Sequence, residues 1–268
     1  MNLLRCIFTF LLLSGLARAT EPVALLQPGE VLTYRVGWGV IGSAGEMKVV
    51  ASTDMIDGQP RTRVTTSSST RGLVRMLYSF DGEAQTFFDP RDGRLLTAQA
   101  ITRSSKDKTH ASISFDYEKA EASYVDHLQP ERTKIMPLPP GGHPMDLITA
   151  LMQTRIWVIG PGESRDVLVL FDDDFYSLRI TAFREETIQT PKGPRKALHL
   201  VPTMLGKPKG MFRRGGEVHV WVSADAERLP LRFEVKLKVG TAFAVLTDYK
   251  PAPLPAPTAP APEPIAGL

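Results

Sequence analysis

The chain has 268 residues, and its 32 Lys and Arg residues against 29 Asp and Glu residues give a net charge of +3. This near balance, with no long basic run and no aromatic residues interleaved among cations, disfavours a nucleic-acid partner. The single cysteine is Cys6, close to the N-terminus. A mature chain without that segment has no disulfide and no thiolate metal site, so its stability must come from burial of apolar side chains.

The first nineteen residues have the pattern of a secretory signal peptide. Arg5 supplies the positive start, Ile7 to Leu13 the apolar stretch, and Ala17-Arg18-Ala19 a small-x-small cleavage site. The apolar stretch is too short to cross a bilayer. We therefore predict cleavage after Ala19, a periplasmic or secreted location, and no transmembrane span in the mature chain.

The last eighteen residues, Pro251 to Leu268, contain seven prolines and few bulky side chains. Such a composition favours an extended, disordered tail rather than a packed element. The sequence thus predicts three parts: a signal peptide at 1–19, a single β-rich domain at 20–250, and a Pro/Ala-rich tail at 251–268.

Three glycines near the start, Gly37, Gly39 and Gly42, have the G-x-G-x-x-G spacing of a dinucleotide-binding loop. That loop requires a helix immediately after the glycines, because helix amides hold the pyrophosphate. Here Met47, Val49 and Ala51 instead alternate with polar residues, which is the period of a strand. The glycines therefore predict a bent β-hairpin, and no nucleotide or other cofactor is expected.

Alternation of apolar and polar residues continues through most of the chain. The clearest example is Leu231 to Val239, where apolar residues at odd positions alternate with charged residues at even ones. Predicted turns separate these runs at Asp57-Gly58, Asp81-Gly82, Asp92-Gly93 and Gly215-Gly216. We predict a mainly β protein of a dozen or more antiparallel strands, forming a strongly curved sheet or open β-barrel.

One segment has helical periodicity instead. After Gly141-Gly142-His143-Pro144, the segment Met145 to Arg155 carries apolar residues at helical spacing, and Asp146 suits the positive end of a helix dipole. We predict a single α-helix over Met145 to Arg155 that covers one face of the sheet.

A catalytic or metal site is not evident from the motifs. His199 and His219 lie on neighbouring predicted strands and could meet in space, but they have no ligand spacing along the chain. Asp172-Asp173-Asp174 lacks the glycine and the distant glutamate of a calcium loop, so it predicts a charged hairpin turn. No catalytic residue and no metal ligand is predicted.

A basic loop between Gly206 and Gly216 combines cations with an apolar pair. It is either a solvated loop or a contact for anionic lipid headgroups, with the apolar pair dipping below them. Its candidate ligand-binding residues are Lys207, Lys209, Met211, Phe212, Arg213 and Arg214.

The densest motif comprises Trp221, Ser223, Asp225, Arg228 and Pro230. In physical terms it predicts a hairpin in which Asp225 accepts amide hydrogen bonds of the turn and Arg228 balances its charge. Pro230 would fix the backbone where the next strand begins.

The order of these features resembles the bacterial exported family called domain of unknown function 3108, over about residues 28 to 249. The matching positions are Pro28-Gly29-Glu30, Leu32, Tyr34, Trp38, Ala44-Gly45, Tyr78, Asp81, Asp146-Leu147, Arg155, Gly210-Met211-Phe212, the motif Trp221 to Pro230, Lys236 and Gly240. The resemblance implies an exported protein and no established activity. The terminal strand, hairpin and strand are also similar to outer-membrane lipoprotein carriers, which implies a curved antiparallel sheet over an apolar cavity.

Three functional hypotheses follow. The leading one is a non-enzymatic periplasmic envelope protein that binds an apolar or lipid-like ligand on the concave face of the sheet. The alternative is a structural or assembly protein that docks an envelope protein through its sheet or its Pro-rich tail. The third is an envelope hydrolase assembled from distant Asp, His and Ser residues.

Overall fold

The computed structural model describes residues 26–140, 143–171, 173–209, 212, 215–238 and 240–253. The predicted signal peptide with its cleavage site at Ala19, and the tail beyond residue 253, lie outside these ranges. Fifteen strands of the described residues form one sheet. The prediction of a mainly β chain with a curved, largely antiparallel sheet is confirmed.

The elements have the following bounds. The first eight strands are β1 (Val31–Trp38), β2 (Ile41–Ile56), β3 (Gln59–Thr70), β4 (Phe80–Phe88), β5 (Leu95–Ser104), β6 (Lys108–Asp116), β7 (Glu121–Asp126) and β8 (Lys134–Pro137). The other seven are β9 (Met145–Asp146), β10 (Ser164–Phe171), β11 (Asp174–Thr190), β12 (Gly193–Met204), β13 (Glu217–Ser223), β14 (Pro230–Leu237) and β15 (Gly240–Lys250). The helices are α1 (Gly72–Leu77) and α2 (Leu147–Gln153), with 3-10 turns at Pro130–Arg132 and Thr154–Ile156.

The sheet consists of two meanders joined at its centre. Strands β1 to β8 are ordered one beside the next, strands β9 to β15 likewise, and β1 pairs with β15. Neighbouring strands are antiparallel except for β9 and β10, which run parallel. The first and last strands therefore lie side by side, and the edges of the sheet are β8 and β9.

The hairpins arise from the turn chemistry of the sequence. Asp57 and Gly58 both have positive φ, 51° and 71°, which is the conformation that lets two strands join in two residues. Likewise, Gly39 and Val40 connect β1 to β2, and a strand follows them. The prediction of a glycine-rich hairpin at this point is confirmed.

One predicted turn is wrong. Asp81 and Gly82 lie inside β4, where they pair with Ser69 and Ser68 of β3. A Cβ atom at Gly82 would lie 3.1 Å from the ring of Phe80, so the glycine makes room for an aromatic side chain. The connection between β3 and β4 is instead the short helix α1, which the sequence analysis did not predict.

The two edges of the sheet come together without strand pairing. Met136 and Leu138, at the end of the first meander, pack in one cluster with Leu170 of β10. Across the same seam, the Nζ of Lys134 lies 2.8 Å from a carboxylate oxygen of Asp173, at the turn between β10 and β11. The sheet is therefore curved into an open barrel whose seam is closed by side chains.

The predicted covering helix is present but shorter than expected. Met145 and Asp146 pair with β10 as β9, and α2 then covers Leu147–Gln153, followed by the 3-10 turn Thr154–Ile156. Asp146 is the N-cap: its Oδ1 accepts hydrogen bonds from the amides of Ile148 at 2.9 Å and Thr149 at 3.2 Å. Met152 is fully buried among side chains of β1 to β3, so α2 lies on the concave face.

A buried carboxylate anchors the end of this helical segment. Glu30, 2% exposed, accepts hydrogen bonds at 3.0 and 3.2 Å from the guanidinium of Arg155. The hydroxyl of Tyr249 on β15 donates to the same carboxylate at 2.7 Å, and the amide of Gln27 donates at 2.6 Å. Burial and the bond to Glu30 raise the pKa of Tyr249 to about 12, so it is a proton donor at neutral pH.

Replacement of Arg155 by Met tests this anchor. The variant keeps an apolar stem but leaves the carboxylate of Glu30 buried without its cation, so we expect a loss of about 3 kcal/mol in the free energy of unfolding. Urea denaturation of the whole chain measures it.

The matched control is Arg179→Met, which breaks an ion pair with Asp166 whose side chains are both about half exposed. We expect a loss below about 1 kcal/mol there. Equal losses in the two variants would contradict an anchoring role for Glu30 and Arg155.

Candidate functional site

An apolar cavity lies between α2 and the inner face of strands β10 to β14. Its volume is about 130 Å³. The side chains around it belong to α2, to the adjoining 3-10 turn, to the five strands, and to the loop between β12 and β13. They are Leu147, Ile148, Ala150, Leu151, Thr154, Val169, Phe171, Tyr176, Leu178, Ile180, Leu200, Pro202, Phe212, Val218, Val220, Phe233 and Val235.

The cavity arises from the same alternation that defines the strands. In β11, Tyr176, Leu178 and Ile180 are buried and point inward. The one threonine of the lining, Thr154, donates its hydroxyl to the carbonyl of Leu151 at 2.6 Å, so this hydroxyl already has a partner. The site therefore suits an apolar group, because a polar ligand would lose its water contacts without gaining hydrogen bonds.

The basic loop meets this cavity at one point. Phe212 is part of its lining, which brings the predicted loop to the end of the cavity formed by the last residues of β10, β12 and β14. The Nζ of Lys209 lies 2.5 Å from a carboxylate oxygen of Asp174 and 4.9 Å above the ring of Tyr176. Lys207 is exposed nearby. The other three candidates, Met211, Arg213 and Arg214, lie outside the described residues.

The predicted acidic turn is confirmed for the residues described. Phe171 pairs with Asp174 at the hairpin between β10 and β11. Asp173 faces Arg132 and Lys134, while Asp174 faces Lys209. Asp172 lies outside the described residues. The two carboxylates therefore pair with cations from β8 and from neighbouring connections.

The hairpin motif is present, with a different cation from the one expected. Ser223 donates its hydroxyl to Asp225 at 2.8 Å and accepts the amide of Leu229 at 2.8 Å. Arg195 of β12 forms the ion pair with Asp225, whereas Arg228 forms none in the described part of the chain. The expected Asp225–Arg228 pair is thus wrong. Arg228 occupies the turn with a φ of 45°.

The hairpin motif also contacts the first strand. The hydroxyl of Tyr34 donates to the carbonyl of Pro230 at 3.0 Å, although the two residues are 196 positions apart. Burial raises the pKa of Tyr34 far above its usual range, so the phenol keeps its proton. This bond ties β1 to the start of β14 across the intervening β15.

Two glycines of the sequence motifs let a neighbouring group pack directly against the backbone. A Cβ at Gly45 would lie 2.4 Å from the carbonyl oxygen of Ser69, on the neighbouring strand. Gly240 has a φ of 125°, and a Cβ there would lie 3.0 Å from the indole nitrogen of Trp38. Both positions require glycine for packing, which is a structural role.

The two histidines singled out in the sequence do meet. The Nε2 of His199 lies 3.0 Å from the Nδ1 of His219, and the ring of Trp221 stacks on His199 at 4.5 Å. Glu186 accepts the indole N–H of Trp221 at 2.8 Å. These side chains lie on the opposite face of the sheet from the cavity, because their neighbours Leu198, Leu200, Val220 and Val222 pack in the interior.

Sequence reasoning missed most of the site. The inward positions of β10 to β13 are visible as alternation, yet nothing in that pattern indicates that they enclose unfilled space. The contact between Glu30 and Arg155 was also missed, since the two residues were recognised only as separate positions of a motif.

Several proteins of known structure are similar to this chain. A β-barrel-like protein of the domain of unknown function DUF1849 from Brucella abortus has a TM-score of 0.52 at 9% identity, covering 85% of this chain and 99% of its own. A candidate exported protein with a YmcC-like fold from Bacteroides fragilis has a TM-score of 0.34 at 13% identity, covering 84% and 97%. A candidate lipoprotein from Parabacteroides distasonis has a TM-score of 0.31 at 12% identity, covering 85% and 98%. At these identities, the first likeness establishes the fold alone.

The sequence comparisons identify the family. Residues 33–247 match the model of DUF3108, described as a protein of unknown function, and the chain belongs to this family. No curated protein matches the sequence. None of the helices in the described ranges is long and apolar enough to cross a bilayer.

The histidine pair predicts a pH dependence of stability. Burial, and after it the charge of His219, lowers the pKa of His199 below its usual value of 6.5. Below about pH 6.5, the imidazole of His199 therefore binds a proton more readily in the unfolded chain than in the folded chain. Stability should be fully present above about pH 6.5 and decrease as the pH falls towards the lower, folded-state pKa.

Unfolding free energies measured in urea at a series of pH values test this expectation. His199→Gln should reduce the acid-side slope, since the suppressed protonation is removed. His143 is exposed and apart from the pair, so His143→Gln should follow the wild-type slope. An unchanged slope in His199→Gln would show that other groups cause the acid dependence.

Proposed function

We propose that this member of the DUF3108 family is an exported envelope protein that binds an apolar or lipid-like group in the cavity beneath α2. The observation that carries the proposal is the cavity itself, whose lining is apolar and whose one threonine hydroxyl is already bonded to backbone. Filling such a space with hydrocarbon removes apolar surface from water without breaking any polar contact.

The volume limits what can enter. About 130 Å³ is close to the ~150 Å³ of an engineered protein cavity that holds benzene, and it is below the ~300 Å³ at which sites for drug-sized ligands begin. The proposed occupant is therefore one apolar moiety, such as a segment of an acyl chain, rather than an entire lipid.

The polar part of such a ligand would lie outside the cavity. Phe212 lines the end of the cavity nearest the basic loop, and Lys207 and Lys209 lie in the same loop. Lys209 is already paired with Asp174, whereas Lys207 forms no ion pair within the described residues. An anionic head placed at this end would find cationic side chains within the loop, which supports a lipid-like ligand over a neutral hydrocarbon.

Blocking the cavity tests the proposal. Val218 is half-buried in the lining, so Val218→Trp places an indole in the space a ligand would occupy. We expect the affinity for toluene, used as the probe and followed by ligand-detected magnetic resonance, to fall about tenfold or more. Mass spectrometry of the purified chain should also show less copurified lipid in this variant.

Two controls accompany this measurement. Val125→Trp adds the same side chain on β7, where the inward residues are its neighbours Tyr124 and Asp126, and should bind toluene like the wild type. Removal of residues 254–268 should also leave toluene binding unchanged, whereas an assembly role based on the tail requires partner capture to vanish. Unaltered toluene binding in Val218→Trp would refute the cavity as the binding site.

A further inference from the structure

Seven hairpin connections of the sheet lie at one end of the barrel. In an antiparallel meander, alternate connections fall at the same end. Because β1 pairs antiparallel with both β2 and β15, the strand directions in the two meanders are fixed relative to each other. We call this end the apolar rim, and its described residues are 39–40, 71–79, 105–107, 127–133, 173, 205–209, 212, 215–216 and 238.

Large apolar side chains are exposed along this rim. In α1, Leu73, Met76 and Leu77 are 78%, 82% and 85% exposed, and Val40 at the tip of the first hairpin is fully exposed. Tyr78, Leu128 and Leu205 add to them from the same connections. The hairpin connections at the other end, residues 57–58, 89–94, 117–120, 191–192 and 224–229, contain no exposed large apolar side chain, although Met55 and Ile56 beside the first of them are 62% and 37% exposed.

Helix α1 gains little stability from contacts with the rest of the barrel. It buries none of its residues and has no side-chain N-cap. Arg75 holds it to the barrel through two hydrogen bonds of 2.8 Å to Asp81 of β4. A six-residue helix without a buried face has little stability in water. Contact of its exposed face with an apolar environment outside the barrel would stabilise it.

The charge of the rim differs from that of the opposite end. The described residues of the rim include seven Lys and Arg residues against three Asp and Glu, whereas the opposite hairpin connections contain five against six. Lys106, Lys207 and Lys238 of the rim form no ion pair within the described residues. Since the whole chain is nearly neutral, this excess is a local feature of one end.

We propose that the apolar rim docks on the surface of an anionic lipid membrane, with α1 and the tip of the first hairpin inserted among the acyl chains. The exposed apolar side chains protrude from helix α1 and from three separate loops, at Val40, Leu128 and Leu205, rather than lining one groove. A fluid bilayer accepts such tips without shape complementarity, and unpaired lysines between them complement anionic headgroups. A protein partner would need a matching cavity for each loop.

This surface goes beyond the proposed function, because docking does not require the cavity to be filled. The two features share one end of the molecule, however. Phe212 lies in a rim connection and also lines the cavity. A docked molecule would therefore hold the open end of its apolar cavity towards the lipid.

Vesicle cosedimentation of the full chain tests the apolar part. The wild type should bind vesicles of phosphatidylglycerol and phosphatidylethanolamine. The variant Leu73→Ser/Met76→Ser/Leu77→Ser should lose about tenfold or more in its partition coefficient. The matched control is Met55→Ser/Ile56→Ser/Val158→Ser, which changes three exposed apolar residues away from the rim and should bind like the wild type.

A second pair of variants tests the charge. Lys106→Glu/Lys207→Glu should weaken binding to the anionic vesicles severalfold and reduce its dependence on salt. Lys119→Glu/Lys192→Glu makes the same change at the opposite end and should have no effect. Because all four lysines are exposed, these variants are expected to fold, and circular dichroism verifies that they do.

Tryptophan fluorescence locates the contact. Trp38, at the rim, is 39% exposed, whereas Trp157 is buried. The emission of the wild type should shift to the blue on adding anionic vesicles, and Trp38→Phe should abolish most of that shift. Toluene binding should remain in the α1 variant, so that a failure of docking and a failure of the cavity proposal are told apart.

Several results would overturn the proposal. These are equal vesicle binding by the α1 variant and its control, equal binding to neutral phosphatidylcholine vesicles, or no vesicle binding by the wild type. Self-association in sedimentation analysis that disappears in the α1 variant would likewise show that the rim meets a second copy of the chain instead of a membrane.

Discussion

The rest of the structure depends on the ion pair and hydrogen bonds made by the buried carboxylate of Glu30. A charge removed from water must be matched by cations and hydrogen-bond donors, or its burial is strongly unfavourable. Two of its partners come from distant parts of the chain, Arg155 after α2 and Tyr249 on the last strand, and the third is the amide of nearby Gln27. Satisfying one carboxylate therefore holds the helical segment against the junction of β1 and β15. A seven-residue helix has little stability of its own, so this attachment determines where it lies.

The cavity is a consequence of that arrangement. Because the first and last strands pair in the middle of the sheet, the free edges β8 and β9 lie at the opposite side and meet only through side chains. The enclosed space is lined by strands of up to 17 residues. Helix α2, about 10 Å long, is too short to fill it. What remains is an apolar gap over β10 to β14, while the main core includes Leu32, Tyr34 and Val49 of β1 and β2.

The two ends of the barrel also differ in their exposed side chains. One end carries the anchor of Glu30 and hairpins in which acidic and basic residues balance; the other carries exposed apolar side chains among excess cations. The cavity reaches the second end through Phe212. Binding of an apolar group and contact with a lipid surface would then be two functions of one end of the molecule, with the opposite end serving stability.

The sequence by itself determined the period of the most regular strands, several of the hairpin turns and the position of the covering helix. These features follow from side chains within a few residues of one another, as in Leu231, Phe233 and Val235 of β14 or the N-cap at Asp146. Only the tertiary structure decided that Arg155 meets Glu30, that Arg195 rather than Arg228 pairs with Asp225, and that Gly82 lies within a strand. It also decided that the inward side chains leave a gap and that α1 is exposed. Those outcomes depend on which distant segments come together, and alternation along a single strand carries no information about its neighbours across the barrel.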